Sequence, residues 1–215
     1  MSAELARRLE AMGIRSHRVL AAAGRIDRAR YVLPELRRDA DGDWPLPIGF
    51  GQTISQPFVV AYMSERLGLE GDERVLEVGT GSGYQTALLA ALAGVVYSVE
   101  IVPELLERAR AVLESEPGLA PVHLRLGDGT LGWPKEAPFD RILVAAAGPE
   151  VPPALLAQLA PGGRLILPVG PDELGQVLRV VDRREDGSVL ETDLLPVRFV
   201  PLTHTLDGHA TPAVR

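Results

Sequence analysis

Arg74-Val75-Leu76-Glu77-Val78-Gly79-Thr80-Gly81-Ser82-Gly83, read as RVLEVGTGSG, decides the fold. A short run, apolar apart from Arg74 and Glu77, ends in glycines at 79, 81 and 83, and a helical pattern follows over 84–93. Strand, glycine turn and helix in that order open a nucleotide-binding α/β unit. Glycines let the chain turn sharply and let a ligand approach the backbone without a Cβ in the way.

Outward from this turn the pattern repeats. Strands are expected at 74–78, 95–99, 122–126, 139–145 and 164–169, and helices at 84–93, 103–114 and 151–159. Largely apolar strands separated by helices form a parallel sheet covered on both faces. The end differs. Residues 177–182 and 190–200 read as strands, with Glu185-Asp186-Gly187-Ser188 as turn chemistry between them. Upstream, Leu5, Leu9 and Met12 lie at helical spacing, and a second helix spans 16–23 with Ser16 as N-cap. A short helical turn at 27–33 is stopped by Pro34, 37–43 reads as an exposed charged link, and a helix covers 58–67. The fold class is α/β: a doubly wound, mostly parallel seven-stranded sheet, with an N-terminal helical segment and a C-terminal antiparallel hairpin.

The glycine spacing is Gly-x-Gly-x-Gly, whereas dinucleotide enzymes use Gly-x-Gly-x-x-Gly. Glu77 beside the turn would repel a pyrophosphate and suits a ligand with a cationic part. S-adenosylmethionine, with its ammonium and sulfonium, is such a ligand. Glu100 ends the second strand about 20 residues beyond the glycines, a place suited to holding ribose hydroxyls. Asp128, between Gly127 and Gly129, ends the third, where a carboxylate can face an adenine amino group. Alone, Glu100 reads as a solvent-facing residue and Gly127-Asp128-Gly129 as an ordinary turn. Three acids at consecutive strand ends carry the inference together.

The bulk numbers set limits. The 215 residues suffice for one sizeable core. A net charge of −7 disfavours general binding to nucleic acid or an anionic membrane. There is no cysteine, hence no disulfide or thiol nucleophile, and the four histidines lack metal-ligand spacing, so no metal is expected. No run approaches a membrane span, the N-terminus lacks a signal-peptide core, and a cytoplasmic monomer is expected.

The sequence resembles the protein-L-isoaspartate O-methyltransferase family, within the class I S-adenosylmethionine-dependent methyltransferases. The matching segments are PLPIGFGQTISQP (45–57), VLEVGTGSGYQTALLA (75–90), GDG (127–129), APFDRILVAAAGPEVPPALLAQLAPGGRLILPVG (137–170) and VRFVPL (197–202), with a weaker match at RIDRARYV (25–32). VLEVGTGSG alone indicates only a methyltransferase; the others are more specific. Some relatives carry His where Val60 stands, and Phe50 sits at a variable position.

The resemblance implies methylation of the free carboxylate of isoaspartyl residues in damaged proteins and peptides, with repair through a succinimide. It implies a single methyltransferase domain over 1–215: helical segment and loop to 56, cofactor-binding core at 57–170, closing strands at 171–205, and a tail at 206–215. Cofactor contacts are expected from Gln52, Thr53, Ile54, Glu77, Gly79, Gly81, Gly83, Glu100, Ile101, Asp128 and Gly129. Thr53, Ile54, Ser55, Val200, Pro201 and Leu202 are expected at the substrate, with Ser55 catalytic. Local rules favour Ser55 as the N-cap of the next helix, while the family motif favours it as the residue aligning the carboxylate. A methyltransferase for another acceptor, such as a small acid or RNA, and a cofactor-binding protein without transfer activity stay open. A nicotinamide dehydrogenase is opposed by the glycine spacing and Glu77.

Overall fold

The computed structural model describes residues 2–171 and 175–203. The expected tail at 206–215 lies outside them. A seven-stranded sheet runs in the order β5-β4-β3-β6-β7-β8-β9. Its strands are β3 (Arg74–Val78), β4 (Val95–Glu100), β5 (Val122–Leu126), β6 (Phe139–Val144), β7 (Leu159–Val169), β8 (Gln176–Arg183) and β9 (Val189–Val197). Pairing is parallel from β5 across to β7 and antiparallel at β7–β8 and β8–β9. The hairpin at the end of the sheet is thus as expected, with β9 stopping at Val197 rather than 200.

Alternation along the strands sorts the core into two layers. Val75, Val96, Leu143 and Ile166 face one side, with the N-terminal helices α1 (Ser2–Ala11) and α2 (His17–Arg25) and helices α3 (Pro57–Leu67), α4 (Tyr84–Ala90) and α5 (Pro103–Glu114). Leu76, Val78, Ile142, Val144 and Leu165 face the other, where Leu155 of α6 (Pro153–Gln158) packs. Leu5, Leu9, Ile14, Val19 and Ile26 belong to the same apolar cluster as β3 and β4, so the N-terminal segment is built into the core.

Two local expectations change. The polar stretch from 49 to 57 reads as neither strand nor helix, yet β1 (Leu46–Gly49) and β2 (Gln52–Ile54) pair antiparallel there. Buried Leu46, Ile48 and Ile54 supply the apolar positions, and Gly49, Phe50 and Gly51 turn the tip with positive φ. Glycine carries such angles without strain; Phe50, at φ 56°, does not. The charged link at 37–43 is also not free chain. A 3₁₀ helix covers Pro34–Asp39, and the carbonyls that follow it are bonded to a buried arginine.

The chain reverses direction along the sheet at β3, whose neighbours are β4 on one side and β6 on the other. That switch point leaves a crevice at the carboxyl ends of the strands, where open α/β sheets bind ligands.

Candidate active site

A cavity of about 410 Å³ fills this crevice, a volume within the usual ligand range. One wall is the glycine loop. Gly79, Gly81 and Gly83 all have positive φ, as the sharp strand-to-helix turn requires. Gly79 and Gly81 line the cavity together with Thr80 and Ser82. Gly83 does not line it; it is buried against Ala109 and Leu113 of α5, and lets α4 start close to that helix.

Glu100 ends β4 at the cavity wall and is 5% exposed. Its Oε2 accepts from the Gly81 amide at 2.7 Å, and its Oε1 from the Ile101 and Val102 amides at 2.9 Å each. The carboxylate therefore clamps the glycine loop to the end of β4. Ile101 lines the cavity beside it, and Gly129 lines it below. A Cβ on Gly129 would come within 2.3 Å of Val78 Cγ1, so only glycine fits there. Asp128 is not at the wall. Its Oδ1 accepts from the Thr130 amide at 2.8 Å and the Thr130 hydroxyl at 2.7 Å, capping the short helical turn that begins at Gly129.

Glu77, expected as a direct partner of a cationic ligand, sits beneath the glycine loop instead. It is wholly buried and lies outside the cavity lining. In the parallel register it stands beside Ser98. Its Oε2 accepts from the Ser98 and Thr86 hydroxyls at 2.6 Å each. Ser98 Oγ is in turn 2.6 Å from Thr80 Oγ1. The acid thus fastens the underside of the glycine loop. Burial pushes its pKa up to about 8; the two hydroxyls act against this shift and nearby Glu100 adds to it. Oε1 has no partner among the described residues, which also favours the neutral form.

A pH dependence follows. Between the ordinary glutamate range and about pH 8 the folded chain holds a proton that the unfolded chain has released. Glu77 therefore makes stability fall as pH rises through that window and contributes no slope beyond it. Urea denaturation at several pH values should show Glu77→Gln lacking this part of the decline. An identical pH slope in both proteins would show that the acid is ionised in the folded state.

The opposite wall comes from the β1–β2 hairpin and the start of α3. Gln52, Thr53, Ile54 and Ser55 all line the cavity, with Phe50 at the tip. Arg108 of α5 donates to the Ile48 carbonyl at 2.8 Å and holds the hairpin in place. The cap question has a structural answer. Gln56, not Ser55, occupies the N-cap position of α3, without a side-chain cap bond, and Pro57 is the first helical residue. The Phe58 amide donates to Asp43 Oδ1 at 2.8 Å, so the capping acceptor comes from the preceding segment.

The third wall is the chain after β9. The Ala147 amide donates to the Val200 carbonyl, and the Leu202 amide to the Ala147 carbonyl, each at 2.8 Å. Buried Gln176 makes reciprocal bonds with the Phe199 backbone, at 2.6 and 3.1 Å. These contacts hold Val200, Pro201 and Leu202 at the cavity edge. Thr80, Ser82, Tyr84 and Gln85 also line the cavity and escaped the sequence reading. Thr80 and Ser82 were within reach of it, since they alternate with the loop glycines.

The sheet order, the glycine turn at the switch point and the strand-end acid define a Rossmann-like methyltransferase fold. The model of the family described as "Protein-L-isoaspartate(D-aspartate) O-methyltransferase (PCMT)" matches residues 1–207. The chain belongs to that family. It is 70% identical over 204 residues to the protein-L-isoaspartate O-methyltransferase of Anaeromyxobacter dehalogenans strain 2CP-C, covering 95% of this chain and 98% of that one. A solved protein-L-isoaspartate O-methyltransferase superposes with TM-score 0.83 at 29% identity, covering 94% of this chain and 65% of that longer one. The structure from Plasmodium falciparum described as a putative enzyme of the same name, in complex with S-adenosyl-L-homocysteine, gives TM-score 0.82 at 25% identity, covering 94% and 98%.

Proposed function

We propose that the chain transfers the methyl group of S-adenosylmethionine to the free carboxylate of L-isoaspartyl residues in damaged proteins and peptides. The observation that carries this is the composition of the cavity. Its charged lining residues are the acids Glu100 and Glu104, and among the described residues no Lys, Arg or His lines it. Such a lining suits a cationic cofactor. The glycine loop and Glu100 offer a close backbone approach and carboxylate acceptors for ribose hydroxyls, while Val78, Val99 and Gly129 give an apolar floor. When bound, the cofactor supplies an electrophilic methyl group on a sulfonium.

The remaining work falls to this chain's own residues. An isoaspartyl carboxylate, with an ordinary pKa of about 4, is ionised at neutral pH and needs no general base. It needs alignment and removal from water. Ser55 donates its hydroxyl to one carboxylate oxygen and leaves the other to react. Thr53, Ile54 and the 200–202 segment present backbone to the substrate main chain, which suits one lesion in many sequence contexts. The following backbone amide nitrogen then attacks the methyl ester and expels methanol to give a succinimide, which water opens partly to normal aspartate. We read the protein as a cytoplasmic monomer acting on polypeptides rather than nucleic acid. The charge of −7 weighs against nucleic acid as the substrate, and no helix among the described residues is long and apolar enough to cross a membrane.

The test is direct. With labelled S-adenosylmethionine, the protein should methylate an isoaspartyl peptide and leave its aspartyl twin unlabelled. Equal labelling of both, or of neither, overturns the assignment.

A further inference from the structure

Arg28 is 2% exposed and lies in the short 3₁₀ turn Arg28–Arg30, within the weaker family match at 25–32 and outside the residues expected at the site. Its two terminal nitrogens reach four backbone carbonyls. Nη1 donates to Ala40 at 2.7 Å and Gly42 at 3.4 Å, and Nη2 donates to Trp44 and Ser55 at 3.1 Å each. Three bonds close the 40–44 segment. The fourth crosses to Ser55, one of the residues that line the cavity. We propose that Arg28 is a positioning residue that sets Ser55 for methyl transfer through its backbone carbonyl; this rests on the reading of Ser55 as the carboxylate aligner.

The geometry favours positioning over simple cross-linking. A guanidinium is planar and holds its donors in a fixed fork. Four terminal N–H groups meet four carbonyls, so the Ser55 peptide plane is tied to the 40–44 segment. Asp43 of that segment also receives the Phe58 amide, gripping the chain three residues further on. Between these two contacts the Ser55 backbone has little room to turn, and its Cβ direction is set. The arrangement also carries a cost. The Nε–H is buried without a partner among the described residues, and burial lowers the guanidinium pKa, with Tyr84, Asp43 and Asp41 acting against that shift. Packing alone could be met by an apolar side chain of similar volume. The Tyr84 ring packs against Tyr31 from the same segment, tilted by 59° with 5.5 Å between centroids. Residues 28–31 therefore touch both the acceptor wall and the glycine-loop wall of the cavity.

A double-mutant cycle with Ser55→Ala tests this, using the full chain, S-adenosylmethionine and an isoaspartyl peptide. Lysine has its three donors at one point and cannot reach all four carbonyls. Arg28→Lys should cut kcat at least about tenfold through misplacement of the aligner, with cofactor Kd within about threefold of wild type. In the Ser55→Ala background the same change should cost less than about threefold, because the group it positions is gone. Arg28→Gln, which removes the buried charge and keeps two donors, is run in parallel so that the cycle stands if the lysine variant folds poorly. Rates are taken per folded molecule by near-ultraviolet circular dichroism. An equal loss in both backgrounds, or no loss in the single variant, overturns the proposal while Ser55 keeps its role. Wild-type turnover by Ser55→Ala alone overturns the reading of Ser55, and the role of Arg28 falls with it.

Discussion

Replacement of Ser55 by alanine is expected to lower turnover on an isoaspartyl peptide about a hundredfold, the scale for loss of one preorganised donor at a reacting group. Cofactor affinity should hold, because the glycine loop and Glu100 lie on another wall. Stability should change by less than about 0.5 kcal/mol. The reason is visible at the start of α3. Asp43 supplies the capping acceptor and Pro57 opens the helix, so the hydroxyl is not needed there. Single-turnover rates, cofactor titration and urea denaturation separate the three quantities. A stability loss of about 1 kcal/mol or more, the scale of a lost N-cap, with turnover per folded molecule intact would make Ser55 structural after all. An alanine variant with weaker cofactor binding and unchanged chemistry would move the hydroxyl to the cofactor side.

What the sequence made legible follows from what local rules can express. RVLEVGTGSG announces itself because a short, largely apolar run and spaced glycines are local signals, and the parallel core follows from repetition of that unit. Glu100 and Asp128 were found by their places at strand ends, yet their geometry differs: Glu100 reaches the cavity, while Asp128 caps a turn. Periodicity along the chain cannot tell these apart. The β1–β2 hairpin was missed because its apolar anchors, Leu46, Ile48 and Ile54, are interleaved with glycine and polar residues whose pairing depends on the partner strand. Arg28 and Asp43 were missed for a related reason. An arginine or aspartate among charged neighbours reads as solvated surface, and only the tertiary fold brings Arg28 to Ser55 and Asp43 to Phe58. Glu77 was noticed, but its side was not deducible. Its parallel register beside Ser98, and not its distance from the glycines, turns the carboxylate under the loop.

Glu100→Gln should weaken S-adenosylmethionine binding about a hundredfold, or about 2.7 kcal/mol, and lower stability by about 1.5–3 kcal/mol, the range for hydrogen bonds to a charged group. The substitution keeps shape and removes acceptors. The native carboxylate serves three amides: Gly81 on one oxygen, Ile101 and Val102 on the other. Glutamine has one acceptor oxygen, and its amide nitrogen only donates. Turned to keep the two bonds at Ile101 and Val102, it sets an N–H group against the Gly81 N–H where a 2.7 Å bond stood. Turned the other way it loses two bonds, so the first arrangement wins and the glycine loop is the part released. The loop then loses its bond to the strand-end carboxylate just where a ribose would seek an acceptor, although Gly79 and Thr80 still hold it to Val99 and Ser98 of β4. Calorimetric titration with the cofactor and urea denaturation measure the two effects separately. Since the Glu100 charge helps to raise the pKa of Glu77, the same variant should also end the Glu77-dependent decline in stability at a lower pH and make it smaller, with its onset unchanged. Unchanged cofactor affinity would remove Glu100 from the cofactor site and leave it as a clamp on the loop alone.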